Sequence, residues 1–360
     1  RSIHMGRYYI KTSVFSYKKG KKMIKIGIIG LGRIGKVHIK SISTKISSAK
    51  VIAAADPFLN DEMTAYAKEF GIENLSKDYK DVLNNPEVDA VMVCSSTDTH
   101  AAISVEAIKA GKHVFCEKPV DHSLEKIKLV EDALKEKPVK FQVGFNRRYD
   151  HNFAAVKEAF LAGKIGDIHI TKITSRDPNP PSAEYAAVSG GMLLDMTIHD
   201  FDMVRFLTNA EPVKIYVEPA VLVDKAIGEA GDIDTAVITM HMSDGSIAVI
   251  DNSRKAVYGY DQRAEVFGSK GMAATKNDSA STCVISSENG IVSEKPLYFF
   301  LERYMDSFAA EVKEFVEAIE EDKEIKTGID AGLKAVAIAL AGNLSIKEKR
   351  AVYINEVLNA

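Results

Sequence analysis

The 360-residue chain has only three cysteines, and neither their number nor their spacing suits a disulfide framework or a metal site. Cys94 and Cys116 each end a hydrophobic run, where cysteine serves as a small buried hydrophobe. That usage is expected of a reduced, cytoplasmic protein. Long apolar runs are missing as well. No stretch approaches the roughly 18 apolar residues of a membrane span, so no membrane partner is expected. Low-complexity tracts and internal repeats are also absent, and 46% hydrophobic with 27% charged residues is enough for ordinary cores.

An excess of one charge is nearly absent, at -3 overall, but the balance is uneven. Eight of the 47 basic residues lie in residues 1–25 without an acid, leaving 39 bases against 50 acids, or -11, in the body. Such a body is a poor partner for nucleic acid. The basic leader, 1–22, has no long apolar core of a secretory signal. It is expected to be a disordered extension or an expression-vector remnant ahead of Met23.

What the chain does contain is Gly30-Leu31-Gly32-Arg33-Ile34-Gly35, entered from the apolar run 24–29 and left through a helical stretch. Gly30 permits a tight turn, Gly32 lets backbone approach a pyrophosphate, and Gly35 lets the helix sit against the strand. Asp56 ends a second apolar run, where a carboxylate accepts from adenosine ribose hydroxyls and repels a 2′-phosphate. NAD is therefore expected over NADP.

The pattern predicts strands at 24–29, 51–55, 89–94, 113–116 and 139–143, with helices near 34–43, 60–70, 98–110 and 123–136. That alternation gives a doubly wound parallel sheet, with ligands beyond the carboxyl ends of its strands. A helix at 151–162, a strand at 167–175 and a helix at 192–207 follow. Alternating segments at 213–223, 234–242, 246–254, 263–267 and 282–286 suggest an antiparallel sheet. Terminal helices are predicted at 302–320 and 328–345. The expected fold is α/β: a Rossmann domain over 23–144, then an α+β domain over 145–360 with a large open, mainly antiparallel sheet. Helices within 302–360 are expected to pack back on the first domain.

Asp195, His199 and Asp202 fall at i, i+4 and i+7, one face of a helix that follows Gly190-Gly191. A carboxylate one turn from an imidazole suits abstraction of a hydroxyl proton. The same set is also compatible with a plain Asp–His surface pair or a metal site, although no second histidine cluster supports a metal. Glu117-Lys118-Pro119 ends a predicted central strand. A lysine there stabilises a developing alkoxide, or is simply an exposed turn residue. Ser95-Ser96-Thr97 and His100 form a helix entry suited to capping or to contact with a cofactor. Arg147 and Arg148 stand at a sixth strand end, as salt-bridge residues or ligand contacts. Tyr258 and Tyr260, two apart, share a strand face that could line a sugar-sized pocket.

Together the glycine-rich turn, Glu117-Lys118-Pro119 and the stretch from Ser189 to Met203 resemble the Gfo/Idh/MocA oxidoreductases. Gly144-Phe145-Asn146-Arg147-Arg148-Tyr149-Asp150, Ser175-Arg176-Asp177-Pro178 and Tyr258-Gly259-Tyr260-Asp261-Gln262-Arg263 resemble the inositol 2-dehydrogenase branch of that family. The resemblance runs from Met23 to about Asn359. It implies NAD-dependent oxidation of myo-inositol at C2 to scyllo-inosose, by direct hydride transfer and without a metal. His199 would accept the proton, Asp195 would orient it, and Lys118 would polarise the reacting oxygen. Arg148, Asp202, Tyr258 and Tyr260 would hold the remaining hydroxyls. Gly30, Gly32, Arg33, Ile34, Gly35, Asp56, Ser95, Ser96, Thr97, His100, Glu117 and Lys118 would meet the cofactor. The loop Pro178-Asn179-Pro180-Pro181 would serve as a lid, and the sheet would build a homotetramer. Other readings are a dehydrogenase of scyllo-inositol, D-chiro-inositol or glucose, and a non-catalytic NAD-bound sensor.

Overall fold

Short apolar runs separated by amphipathic helices build the first half of the chain. The computed structural model describes residues 23–359, so the expectations for the basic leader lie outside the described residues. Strands β1 (Ile24–Ile29), β2 (Ala49–Ala55), β3 (Asn74–Ser76), β4 (Ala90–Val93), β5 (His113–Glu117) and β6 (Phe141–Gly144) form a parallel sheet of order β3-β2-β1-β4-β5-β6. Helices α1 (Arg33–Lys45), α2 (Asp61–Glu69), α3 (Tyr79–Asn84), α4 (Thr97–Lys109) and α5 (Leu124–Glu136) make the crossovers. The central strands are buried over nearly all of their length, which explains their continuous rather than alternating hydrophobicity. The expected doubly wound sheet is present. β3 and α3 were not expected: each is too short for its periodicity to show.

A 3₁₀ turn (Asn146–Tyr149) leads into α6 (His151–Leu161), β7 (Ile168–Arg176), α7 (Ala183–Val188), α8 (Met192–Asp195) and α9 (Ile198–Thr208). Next come β8 (Pro212–Ala220), α10 (Lys225–Glu229), β9 (Thr235–Met242), β10 (Ile247–Ser253), β11 (Asp261–Gly268), β12 (Gly271–Ala274), β13 (Val284–Ser287) and β14 (Gly290–Ser293). The chain closes with α11 (Phe300–Arg303), α12 (Met305–Glu320), α13 (Ile329–Glu348), β15 (Val352–Tyr353) and α14 (Ile354–Leu358).

The second sheet has the order β12-β11-β7-β10-β9-β8-β15 and is antiparallel except where β7 and β10 run parallel. On β9, Ala236, Ile238 and Met240 are buried, whereas Val237 between them is half exposed. Helices α6, α9 and α13 cover the buried face. The other face is open and carries Ile170, Val237, Ile247 and Phe267. The segment expected as a strand at 282–286 joins this sheet nowhere. It pairs instead within a two-stranded hairpin, β13–β14.

Helix α13 is long and apolar enough by length and composition to cross a membrane. It lies against β8, α9, α5 and β6, where its alanines and valine are core residues. Helix α12 returns to the first sheet: Phe315 stacks edge-on to Phe115 of β5 at 5.8 Å, and Val312 and Val316 join the same core. Gln142 of β6 donates to the Glu311 carbonyl on α12 at 2.9 Å. Phe315→Ala should therefore destabilise the first domain by about 3–5 kcal/mol in urea denaturation. A loss below about 1 kcal/mol would show that α12 contributes nothing to that core.

Candidate active site

The glycine-rich turn is built as its chemistry requires. Gly30 has φ 99°, and a Cβ on Gly35 would lie 1.9 Å from the Gly30 carbonyl oxygen, so α1 can approach β1 only with glycine there. Nothing lies within 4 Å of where a Gly32 side chain would be, which leaves room for a phosphate. Gly32 caps α1 without a side-chain hydrogen bond, and the first turn holds no acid, so the leading amides remain free for an anion. Ser96 caps α4 in the same way, without a side-chain bond. Asp56 directly follows β2 and accepts from the Leu31 and Phe58 amides, both at 2.8 Å, which fixes it beside the turn. Arg33 is exposed over the Phe300 ring, and Ile34 packs between the two cores. These residues fit a dinucleotide.

His100 and Glu117 are placed differently. The His100 ring nitrogens face the carbonyls of Pro119 at 2.8 Å and Ser95 at 3.0 Å, inside the protein. The histidine thus braces the turn after β5 rather than presenting itself to a ligand. Glu117 points inward to His38 at 2.6 Å. Ser95 and Thr99 share a hydroxyl bond of 2.6 Å at the entry to α4.

The next residue, Lys118, is joined to Pro119 by a cis peptide bond, and its ammonium crosses to the second domain, where Nζ donates to the Asp195 carbonyl at 2.8 Å. That carbonyl is available because the helix expected over 192–207 is broken. Gly191, at φ 83°, starts the single turn α8, and the chain then kinks at Met196-Thr197 before α9 begins. The His199 amide bonds to Met196 at 3.3 Å, so Asp195 lacks its usual helical partner. The break also separates Asp195 from the face that holds His199 and Asp202. The Asp195 carboxylate takes the Tyr185 hydroxyl at 3.0 Å and the Arg254 guanidinium at 3.0 Å, with no hydrogen bond to His199.

His199 packs edge-on to Phe145 at 6.4 Å, and its Nδ1 is buried without a hydrogen-bond partner among the described residues. Burial, then the charges of Lys118 and Arg147, hold its imidazole well below the ordinary range, so it is neutral. Burial also lowers Lys118, against the pull of Asp195 and Glu117. Burial would raise Asp195, but Lys118, Arg254 and the Tyr185 bond outweigh it and keep the carboxyl low.

Of the two expected arginines, Arg148 forms a two-pronged pair with Asp202 at 2.8 and 2.5 Å, over the Phe206 ring. Both Asp202 oxygens, and the Nε and Nη2 of Arg148, are used in that pair. Arg147 is the one whose charge reaches His199 and Lys118, and it bonds Asp200 at 2.6 Å. Tyr258 and Tyr260 do not share a strand face, because both precede β11 in a turn through Gly259. Tyr258 is exposed and bonds Asp261 at 2.6 Å, while Tyr260 is buried edge-on to Tyr304. In the expected lid, Asn179 donates to the Tyr298 hydroxyl at 2.5 Å.

Asp177 and Arg254 were not singled out from sequence. Each immediately follows one of the two parallel strands, β7 and β10, and they face each other at 3.5 Å. Burial lifts the Asp177 carboxyl to about 6, although Arg254 and Arg147 oppose it. No signal in the sequence marks them, because the parallel pairing that gathers these loops at one edge shows only in the fold.

Asp56→Ala leaves the Leu31 amide unpaired. KM for NAD should rise about ten-fold or more, and the ratio of NADP to NAD use should rise with it in steady-state assays. An unchanged ratio would remove Asp56 from cofactor selection.

Comparison with known proteins identifies the family. Residues 24–145 match the oxidoreductase family with an NAD-binding Rossmann fold, and residues 153–274 match the GFO/IDH/MocA C-terminal domain. An uncharacterized oxidoreductase of Bacillus subtilis, YrbE, is 46% identical over 90% of this chain and 95% of its own length. The myo-inositol 2-dehydrogenase of Thermotoga maritima is 43% identical over 93% of this chain and 100% of its own. The structure of Lactobacillus casei scyllo-inositol dehydrogenase with bound NAD(H) and scyllo-inositol superposes with a TM-score of 0.86, at 32% identity over 93% of this chain and 100% of that one. The chain belongs to the GFO/IDH/MocA oxidoreductases and is an NAD-using enzyme of that family.

Proposed function

We propose that the enzyme oxidises myo-inositol at C2 to scyllo-inosose. The reading rests on one observation above all: Lys118 from the first domain and the Asp195–His199 segment from the second meet through a 2.8 Å hydrogen bond at the carboxyl end of β5. Bound NAD supplies the hydride acceptor. The chain's own groups handle the proton. His199 is neutral, and with Nδ1 sealed, its Nε2 is the atom left to take a hydroxyl proton. Lys118 holds the reacting oxygen and stabilises charge developing on it. Asp195 acts through Lys118 and Arg254 rather than through His199, and it keeps the two cations apart and oriented.

The charge balance supports a neutral ring as substrate. Lys118, Arg147 and Arg254 are matched by Asp177, Asp195 and Asp200, leaving no surplus cation for a sugar acid. The name of the Thermotoga maritima relative favours myo-inositol. The Lactobacillus casei structure favours scyllo-inositol as the second reading, since that ligand occupies the same fold.

NADH formation across myo-, scyllo- and D-chiro-inositol and glucose tests this directly. The highest kcat/KM should fall on myo-inositol, and no turnover on any of them would leave a binding protein. His199→Ala should lower kcat by about 10²–10⁴-fold with NAD binding intact. Because the imidazole is held down, the acid limb of the wild-type profile should lie below pH 6.5. Near-normal turnover by that variant would exclude His199 as the base.

We also propose that the open sheet face seats further copies of the chain in a cytoplasmic homotetramer. Ile170, Val237, Ile247 and Phe267 give that face its apolar surface. Val237→Glu with Phe267→Glu should shift the light-scattering mass to smaller species, and an unmoved mass would place the interface elsewhere.

A further inference from the structure

Behind the site lies a second group of titratable residues with no part in the reaction above. His38 on α1, Glu117 at the end of β5 and Glu311 on α12 are buried, and their polar atoms lie within 4.8 Å of one another. His38 Nε2 and Glu117 Oε1 share a hydrogen bond of 2.6 Å. Neither Glu311 carboxyl oxygen has a hydrogen-bond partner among the described residues. The surroundings are apolar: Phe115 and Phe308 set their rings edge-on to His38 at 5.2 and 5.8 Å. Gly144 leaves the Glu117 carboxyl just enough room, since a Cβ there would lie 3.1 Å from it.

A carboxylate in such a place, without donor or cation, is among the costliest arrangements a fold can hold, and the group takes up a proton instead. Glu311 faces Glu117 from β5, His38 from α1, Cys94 from just after β4 and Tyr149 from the 3₁₀ turn. Gln142 of β6 gives its amide to the Glu311 backbone, and its own Oε1 is unpartnered. Burial, and then the Glu117 charge, push the Glu311 carboxyl well above the ordinary range.

We infer that Glu311 is held as the neutral acid beside Glu117, and that this packing together with His38 positions Lys118, the residue that follows Glu117. Glu311 touches neither substrate nor cofactor in this scheme, so it is a positioning residue. The inference deepens the proposed function and rests on Lys118 acting at the reacting oxygen.

The test uses the full chain with NAD and compares wild type with Glu311→Gln and Glu311→Met. An acid that stays protonated in the fold but ionises on unfolding makes stability fall as pH rises above the ordinary carboxyl range. Glu311→Gln removes that linkage, so its melting temperature should exceed wild type at about pH 8 and converge with it near pH 5. Lys118 is followed by trace acylation and peptide mass. Its rate should stay within about two-fold in Glu311→Gln and change by about five-fold or more in Glu311→Met. With a polyol, kcat should fall about ten-fold in Glu311→Met and be rescued in Glu311→Gln, with KM for NAD unmoved in both.

Melting curves of wild type and Glu311→Gln that stay parallel across pH would show Glu311 ionised and overturn the inference. So would a stoichiometric divalent metal in the wild-type protein that Glu311→Gln releases. Unchanged Lys118 labelling in a folded Glu311→Met would remove the positioning role. If no polyol is turned over, the substrate reading alone fails, because melting and labelling do not use substrate.

Discussion

The hydrogen bond from the Lys118 ammonium to the Asp195 carbonyl is the contact on which the site depends. It needs a free carbonyl in the second domain at the height where β5 of the first domain ends. A continuous helix would have used that oxygen for the His199 amide. The kink at Met196-Thr197 releases it, and the same kink turns the Asp195 carboxylate toward Arg254 and Tyr185. One irregularity in the backbone thus supplies Lys118 with its acceptor and separates the roles of the acid and the imidazole.

A buried polar network holds that kink in place. Thr197 donates to Asn252 on β10 at 2.7 Å, Asn252 donates to Asp200 at 2.9 Å, and Arg147 closes on Asp200 at 2.6 Å. Ser175 on β7 joins by accepting from Asn252 at its carbonyl at 3.2 Å and from Arg147 at its hydroxyl at 3.4 Å, and it donates onward to Gln262 at 2.9 Å. Each of Thr197, Asp200 and Asn252 is fully buried, so an unpartnered member would cost about 1–3 kcal/mol, more for the charged ones. The network therefore permits one arrangement of α8 and α9 on the sheet, and His199 is carried between two of its members. Its location on the parallel strands β7 and β10 explains why Asp177 and Arg254, next along those strands, arrive at the same place.

The Rossmann half was legible because its strands are buried on both faces and its helices are amphipathic. The glycine-rich turn and Asp56 could be placed for the same reason: only one backbone path satisfies them. The break in the helix was not legible. Met192 to Thr208 carries no proline or glycine, and its periodicity continues through the kink, since the cause is a side chain of β10 some fifty residues away. Arg147 and Arg148 could not be told apart because they lie in a 3₁₀ turn, where consecutive side chains point about a third of a turn apart. Tyr258 and Tyr260 were misplaced because spacing by two means a shared face only within a strand, and Gly259 ends the extended path between them. His100 and Glu117 have the polarity of ligand contacts, and only the coordinates show that their partners are internal.

Glu117 and Lys118 are neighbours in sequence with opposite anchors, one in the core of the first domain and the other at the second. Glu117 reaches α1 through His38, while Lys118 reaches α8 through the Asp195 carbonyl. His100 holds the Pro119 carbonyl from α4, so the turn is fixed from a third direction. A strand end braced on three sides has little freedom to let Lys118 drift, and in the proposed role an ångström of drift would cost orders of magnitude in rate. This accounts for a histidine and an acid being spent inside the protein where a sequence reader assigns them to the cofactor. Their chemistry is directed at the backbone that presents Lys118, and α12, by packing on β5 from the far end of the chain, makes the turn that carries Lys118 depend on residues beyond position 300.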